Sequence, residues 1–179
     1  LPTSPVPPAQ NILTGTYSGL KMLTFNNGQF SDKGNLEGLY ESLRFLTADS
    51  EGNIWASHPY RGIYKISISA DGKKYITRLF TEKDGLPSTL DNHVYKIKNR
   101  VIFGTNAGAY EFDAPTSRFI PSNFLQPIIG KNEVRYMNED GQGNIWFCSG
   151  KKIGVIDFAE GNSIPKPFYF SEITGQILS

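Results

Sequence analysis

Apolar residues along this chain fall in short alternating runs that stop at turn residues, the pattern of half-buried strands rather than of helices. "LRFLTAD", "NIWAS", "GIYKISIS" and "KKYITRLF" are four such runs, rich in β-branched and aromatic side chains, with "SEG", "PYRG" and "ADG" between them. They predict four strands. "VYKIKN", "VIFGT", "GAYEFD" and "RFIPS" repeat the scheme, and "VRYMNED", "NIWFCS" and "KIGVIDF" begin it again. Helical periodicity is nearly absent, and "NLEGLYESLRFL" is expected to carry no more than a short helical turn.

The runs recur with a period. "NILTGTYSGLKML", "NIWASHPYRGIYKI", "RVIFGTNAGAYEF" and "NIWFCSGKKIGVIDF" align, and their first apolar positions, Ile12, Ile54, Val101 and Ile145, lie 42, 47 and 44 residues apart. A period of roughly 40 to 50 residues with four strands per unit is that of a propeller blade. A four-stranded blade cannot hide both faces alone, so stacked copies are needed. The expected fold is all-β: a β-propeller segment of about four four-stranded blades forming an incomplete ring. The expected blades are residues 11–42, 43–80, 93–120 and 133–170, behind a Pro-rich lead-in at 1–10, where proline removes the ladder donors a strand needs.

One phrase occurs twice almost unchanged, "DSEGNIWA" from Asp49 and "DGQGNIWF" from Asp140. It falls between a blade's first and second strands, where Asp, Gly and Asn suit a tight reversal. It lacks the alternate acidic ligands and distal glutamate of a calcium loop, so no metal is expected. Trp55 and Trp146 share a repeat position with Leu13 and Ile102, so both are expected to be buried between blades. Gly15, Ser57, Gly104 and Cys148 share a position kept small by a crowded neighbour, which makes Cys148 a filler rather than a nucleophile.

Charge and targeting signals narrow the partners. Eighteen basic and seventeen acidic residues leave a net charge of +1, without a Lys/Arg run that could follow a phosphate backbone, so nucleic acid is not an expected partner. No apolar run approaches the roughly 20 residues that span a bilayer, so direct membrane insertion is not expected. The chain begins at Leu1 without Met and is expected to be a processed product or a piece of something longer.

"EGNIWASHPYRGIYKI", "VIFGTNAGAYEFD" and "GNIWFCSGKKIGVIDF", with the Gly-Leu-Pro connector in "TEKDGLPS", resemble the two-component-regulator propeller repeat over roughly Asn11 to Phe158. That repeat builds the sensor regions of hybrid two-component proteins in gut Bacteroidetes. "PKPFYFSEITGQILS", within 165–179, is similar to the start of the β-sandwich that follows the last propeller in that family. "SHPYRG" departs from the usual Thr-x-x-Gly turn, and no kinase, receiver or DNA-binding segment is present. The resemblance implies a part of a membrane-anchored receptor, placed in the periplasm or outside the cell. It also implies a dietary or host glycan as the signal, phosphorelay as the output, and the remaining propeller and β-sandwich domains as partners.

An open arc of blades leaves two faces uncovered, and a homodimer is expected for the isolated chain. Turns between second and third strands, "TYSG", "SHPYRG", "TNAG" and "SGKK", should emerge beside the long links Ser31 to Ser42, Thr81 to Asn92 and Pro121 to Asn132. These turns vary while their flanking strands do not, which singles out Tyr17, His58, Tyr60, Arg61, Asn106, Lys151 and Lys152 as ligand-binding candidates. Each has a plainer role available: His58 capping its turn, Arg61 pairing with a surface acid, the tyrosines lying on neighbouring loops, the lysines solvated. Two alternatives stand beside the sensor reading. One is a purely structural interaction scaffold. The other is a glycoside hydrolase or polysaccharide lyase fragment, which would need paired carboxylates among Glu37, Glu41, Glu82, Asp84 and Asp91. No triad, phosphate loop or metal cluster is recognisable, so no catalytic residue and no cofactor is assigned.

Overall fold

A computed structural model describes residues 10–68, 75–158 and 167–170. They form four antiparallel sheets that correspond to the four repeats. Blade 1 contains β1 (Gln10–Thr16), β2 (Gly19–Asn26) and β3 (Gln29–Asn35). Blade 2 contains β4 (Leu46–Ala48), β5 (Ile54–His58), β6 (Gly62–Ile68) and β7 (Tyr75–Phe80). Blade 3 follows with β8 (His93–Ile97), β9 (Arg100–Thr105), β10 (Gly108–Asp113) and β11 (Arg118–Pro121). Blade 4 has β12 (Val134–Glu139), β13 (Ile145–Ser149), β14 (Lys152–Ile156) and β15 (Pro167–Tyr169). Each complete sheet runs in chain order from its first strand outward, and β8 packs against both β4 and β12, which makes the first strands innermost. The fold is thus an incomplete propeller, and blade 1 starts at the second strand of the repeat.

Three differences from the sequence expectation concern local structure. β3 extends to Asn35 and absorbs the first part of the expected link from Ser31. The segment around Leu36 to Phe45 forms turns instead of a helical turn. Helix appears in the later links instead, as a 3-10 turn at Glu82–Asp84 and a short α1 (Gln126–Ile129). The 3-10 turn is set by a capping box: Lys83 N–H donates to the Thr81 side chain, and the Asp84 carboxylate accepts from Thr81 N–H. Of the expected β-sandwich lead at 165–179, Pro167–Tyr169 pair with β14 as the outer strand of blade 4, and 165–166 and 171–179 lie outside the described residues.

The core lies between the blades. Strand alternation sends Trp55, Ile63 and Phe80 of blade 2 onto Val94, Phe103 and Phe119 of blade 3. Tyr95, Ile97 and Ile102 of blade 3 meet Val134, Met137, Ile145 and Phe147 of blade 4. Leu20 of blade 1, with Leu13 beside it, meets Ala56, Tyr64 and Ile66 of blade 2. The repeat position of Leu13, Trp55 and Ile102 therefore always faces the following blade.

Trp146 breaks the expectation of burial. Trp55 is 3% exposed, whereas Trp146 is 39% exposed. Both occupy the same repeat position, and the difference is what lies opposite: blade 3 covers Trp55, and no further blade among the described residues covers Trp146. Its ring stacks on Phe170, with centroids 5.6 Å apart.

The repeated phrase proves to be a hydrogen-bonded bracket. Asp49 Oδ1 accepts from the N–H groups of Glu51 and Asn53, and Oδ2 accepts from Asn53 Nδ2 at 3.0 Å and from the Trp55 indole N–H at 2.9 Å. Asp140 does the same for Gln142, Asn144 and Trp146, the indole at 3.0 Å. One carboxylate thus closes the turn and fixes the indole of the next strand. At Asp49 burial opposes ionisation, but the bonds from Asn53 and Trp55 prevail and hold the carboxyl below its ordinary range. At Asp140 the indole N–H leads, and the carboxyl is brought down to about 2. Blade 3 replaces the phrase with a two-residue turn, Lys98 and Asn99, both at positive φ. Lys98 then donates through its backbone N–H to Glu139, and through its ammonium to Gly143 O, so it clasps the bracket of blade 4.

Two outcomes follow for unfolding experiments. Trp55→Ala should destabilise the chain by about 3 to 5 kcal/mol in urea titrations, and Trp146→Ala by well under half as much. The Asp140 carboxyl has a folded value near 2 against an ordinary 3.8. Its contribution is therefore complete above about pH 4 and lost as pH falls toward 2. Asp140→Asn should remove that segment of the acid-unfolding curve while lowering stability at neutral pH.

Candidate functional site

The second-to-third turns are pressed against the links that lead to the next blade. Gly19 and Gly62 hold φ of 123° and 109°, and a Cβ at either would lie 2.1 Å from the carbonyl oxygen of Leu39 or Phe80. Only glycine fits both the backbone conformation and the gap. Leu43 N–H donates to Thr16 O at 2.9 Å, which ties the first link to the turn of blade 1. The expectation that turns and links share one face is borne out here, and rigid strands carry the turn residues between these anchors.

Around blades 1 and 2 that face gathers aromatic and charged side chains. Tyr17 is 92% exposed and Tyr60 is 70% exposed, on adjacent blade turns. Tyr40, from the link between them, is 72% exposed. Beneath them Glu41 joins link to turn: Arg61 reaches its Oε1 at 2.6 Å, and His58 Nε2 lies 3.3 Å from its Oε2. His58 is 7% exposed and accepts the Tyr60 backbone N–H on Nδ1 at 3.0 Å, so it caps the turn from inside. Tyr64 stands at the base, its phenol pushed above its ordinary value by burial and then by the Glu41 carboxylate. A cavity of about 170 Å³ opens beside Tyr17, lined by Ser42, Leu43 and Arg44. Among the described residues Arg44 makes no ion pair, and its side chain is exposed at the rim.

The other candidates lie further round. Asn106 is exposed on the turn of blade 3, where Thr105 Oγ1 accepts from Ala107 N–H and donates to Gly108 O. Lys151 and Lys152 are exposed on the turn of blade 4, with Lys152 Nζ 5.1 Å from the centre of the Tyr169 ring. No hydrogen bond or ion pair among the described residues joins these three to the cluster around Glu41. The structure therefore joins His58, Tyr60 and Arg61 around Glu41, while Tyr17 lines a cavity with Ser42, Leu43 and Arg44. Sequence reading passed over Tyr40 and Arg44 and weighed Glu41 only as a catalytic carboxylate. Their position at the end of a link, directly after Leu39, was the available signal.

The larger cavity, about 240 Å³, lies at the opposite end of the blades, between blades 2 and 3. Its charges are engaged. Asp49 holds its bracket, Glu111 accepts from Arg100 at 2.7 Å and from Ser122 Oγ at 2.6 Å, and Lys65 Nζ sits 5.2 Å from the centre of the Trp55 ring. Structural use accounts for these groups, so the smaller cavity on the variable face is the better candidate. Three of the five loop carboxylates are likewise engaged: Glu41 with Arg61, Asp84 in its cap, and Glu82 with Thr89 N–H.

The architecture defines the class as a propeller arc with variable turns and links on one face. No family model matches the chain, and no curated protein matches it. Solved structures do match. One is the extracellular domain of BT3049 from B. thetaiotaomicron, described as a hybrid two component system. It aligns over 89% of this chain with a TM-score of 0.57 and 19% identity. Another is the extracellular domain of BT4673 from the same organism, over 91% of the chain with a TM-score of 0.56 and 10% identity. A further structure of that BT4673 domain aligns over 88% with a TM-score of 0.53 and 12% identity. The chain spans 21 to 24% of the length of these proteins. At such identities the likeness is one of fold. The second BT4673 structure is, like BT3049, described as a hybrid two component system, and the first as a one component system.

Gly62→Ala tests how the face is held. The strained φ and the clash with Phe80 O should cost more than about 2 kcal/mol in thermal unfolding, with displacement of the Tyr60–Arg61 turn visible as changed amide shifts at His58 and Tyr60.

Proposed function

We propose that this chain is a non-catalytic sensor module of the two-component-regulator propeller type. It forms part of the periplasmic or extracellular region of a membrane-anchored hybrid receptor and binds a glycan. One observation carries the reading: exposed Tyr60, on a turn that varies between repeats, and exposed Tyr40, on the adjoining link, are next in sequence to the ion-paired Arg61 and Glu41, with His58 buried beneath and exposed Tyr17 lining a cavity with Ser42, Leu43 and Arg44. Aromatic rings offer flat apolar faces to sugar rings, and the Arg61 and Arg44 guanidiniums with the tyrosine hydroxyls offer fixed donors to sugar hydroxyls. Asn106, Lys151 and Lys152 extend the same face toward blades 3 and 4 and would meet a longer oligosaccharide. The likeness of fold to extracellular domains of two component systems supports the setting, as does the repeat resemblance. Among the described residues no helix is long and apolar enough to cross a membrane. In a receptor of this kind the anchor and the kinase that carries the phosphorelay belong to other segments.

Calorimetric titration against a panel of neutral and acidic oligosaccharides tests the reading. Tyr60→Ala with Arg61→Ala should weaken binding at least about tenfold while leaving the far-UV spectrum unchanged, because both side chains stand outside the repeated strands. Turnover of any panel member, abolished by Glu41→Gln, would replace the sensor with an enzyme.

A further inference from the structure

Three turns of the variable face share one capping bond, and blade 2 makes it with a different group. Thr16, His58 and Thr105 hold the same repeat position, at the end of the strand that enters the turn. In each case the backbone N–H two residues further on donates to that side chain: Ser18 to Thr16 Oγ1 at 3.2 Å, Ala107 to Thr105 Oγ1 at 3.1 Å, and Tyr60 to His58 Nδ1 at 3.0 Å. A hydroxyl oxygen accepts at any ordinary pH, whereas an imidazole nitrogen accepts only while it carries no proton. The imidazole also reaches a second group. His58 Nε2 lies 3.3 Å from Glu41 Oε2, and Glu41 Oε1 takes Arg61 at 2.6 Å. Among the described residues, the charged and titratable groups around His58 are Glu41 and Arg44 from the link before β4, Tyr60 and Arg61 from its own turn, and Tyr64 of β6.

We infer that His58 is a proton-operated switch of this face: a proton on Nδ1 releases the Tyr60 backbone and displaces Tyr60 and Arg61. The inference rests on the proposed role of the face in glycan binding, and adds that acidification disassembles it. A protonated Nδ1 sets one N–H against another, so the bond that closes the turn becomes a repulsive contact. In the charged ring the contact with Glu41 becomes charge-assisted, which draws that carboxylate away from Arg61. Glu41 also supplies the counter-charge that a ring buried to this degree needs to hold a proton. The motion is limited to the tip of the turn. Gly62 is pinned at its base against Phe80 O, and buried Leu39 and Leu43 fix the link on either side of Glu41. Blades 1 and 3, capped by hydroxyls, have no such response. His93, the other histidine, lies on β8 against Phe45 and Tyr95, in a different junction.

Nitrogen-edited NMR of the full chain, titrated from about pH 8 to about pH 5, tests this. The Tyr60 amide should shift with the midpoint of the His58 ring, while the Ser18 amide, capped by Thr16, stays in place. His58→Thr, which supplies the capping hydroxyl found at Thr16 and Thr105, should abolish the Tyr60 shift. Glu41→Gln should lower the midpoint by about one pH unit or more, because the counter-charge is gone. Should His58→Thr lose its circular dichroism spectrum, His58→Ser takes its place. A His58 ring that does not titrate in this range overturns the inference, as does a Tyr60 amide that stays put while the ring titrates. So do a Tyr60 shift that persists in His58→Thr and a midpoint unchanged in Glu41→Gln. None of these readouts uses a ligand. Absence of oligosaccharide binding in calorimetry would therefore remove the glycan reading and leave the switch standing, and a silent titration would do the reverse.

Discussion

Burial of one blade face against the next is the constraint on which the rest of this structure depends. A four-stranded sheet with apolar residues on both faces has no stable existence alone, and each face here gains its stability from a neighbour. The Asp49 and Asp140 brackets serve that end. By bonding the indole N–H, the carboxylate satisfies the one polar atom that Trp55 would otherwise carry into the junction, and it closes the preceding turn with the same oxygens. Where the phrase is missing, at blade 3, Ile102 replaces the tryptophan and needs no such partner, and a two-residue turn suffices.

That division of labour leaves the turns free to differ. Between Gly19 and Leu39, and between Gly62 and Phe80, backbone meets backbone with no room for a side chain, so each turn is fixed at its base whatever its tip contains. Tyr17 and Tyr60 are held at those tips on a rigid frame. The Glu41 carboxylate adds a second anchor, since it engages the exposed Arg61 and the buried His58 at once. His58, a candidate for contact with ligand, lies under the surface and acts on it through the Tyr60 backbone.

Period, strand content and blade number were legible in the sequence because they depend on residue types at fixed spacing. So was the face that carries the variable turns, which follows from chain connectivity. Exposure of Trp146 was not legible, because burial at that repeat position belongs to the neighbour and not to the tryptophan. The Arg61–Glu41 pair spans 20 residues and two blades, and no local pattern announces it. The segment after Asn35 has leucines at helical spacing, yet Leu39 and Leu43 are drawn separately into the junction of blades 1 and 2, and tertiary packing overrides the local period.

The same physics explains how a fold can be shared with the BT3049 domain at 19% identity while no family model matches. A junction position asks only for apolar volume that its opposite face can accommodate, and within this one chain it is met by Leu13, Trp55, Ile102 and Trp146. The small position beside it is met by Gly15, Ser57, Gly104 and Cys148. If four copies in a single chain agree so loosely, copies in different proteins can diverge further without loss of packing. What stays fixed is geometric: a glycine at the turn base of blades 1 to 3, a hydrogen-bonded reversal before the second strand of blades 2 to 4, and alternation along the strands. Those constraints are carried by few residues per blade, too few to sustain sequence similarity and enough to specify a propeller.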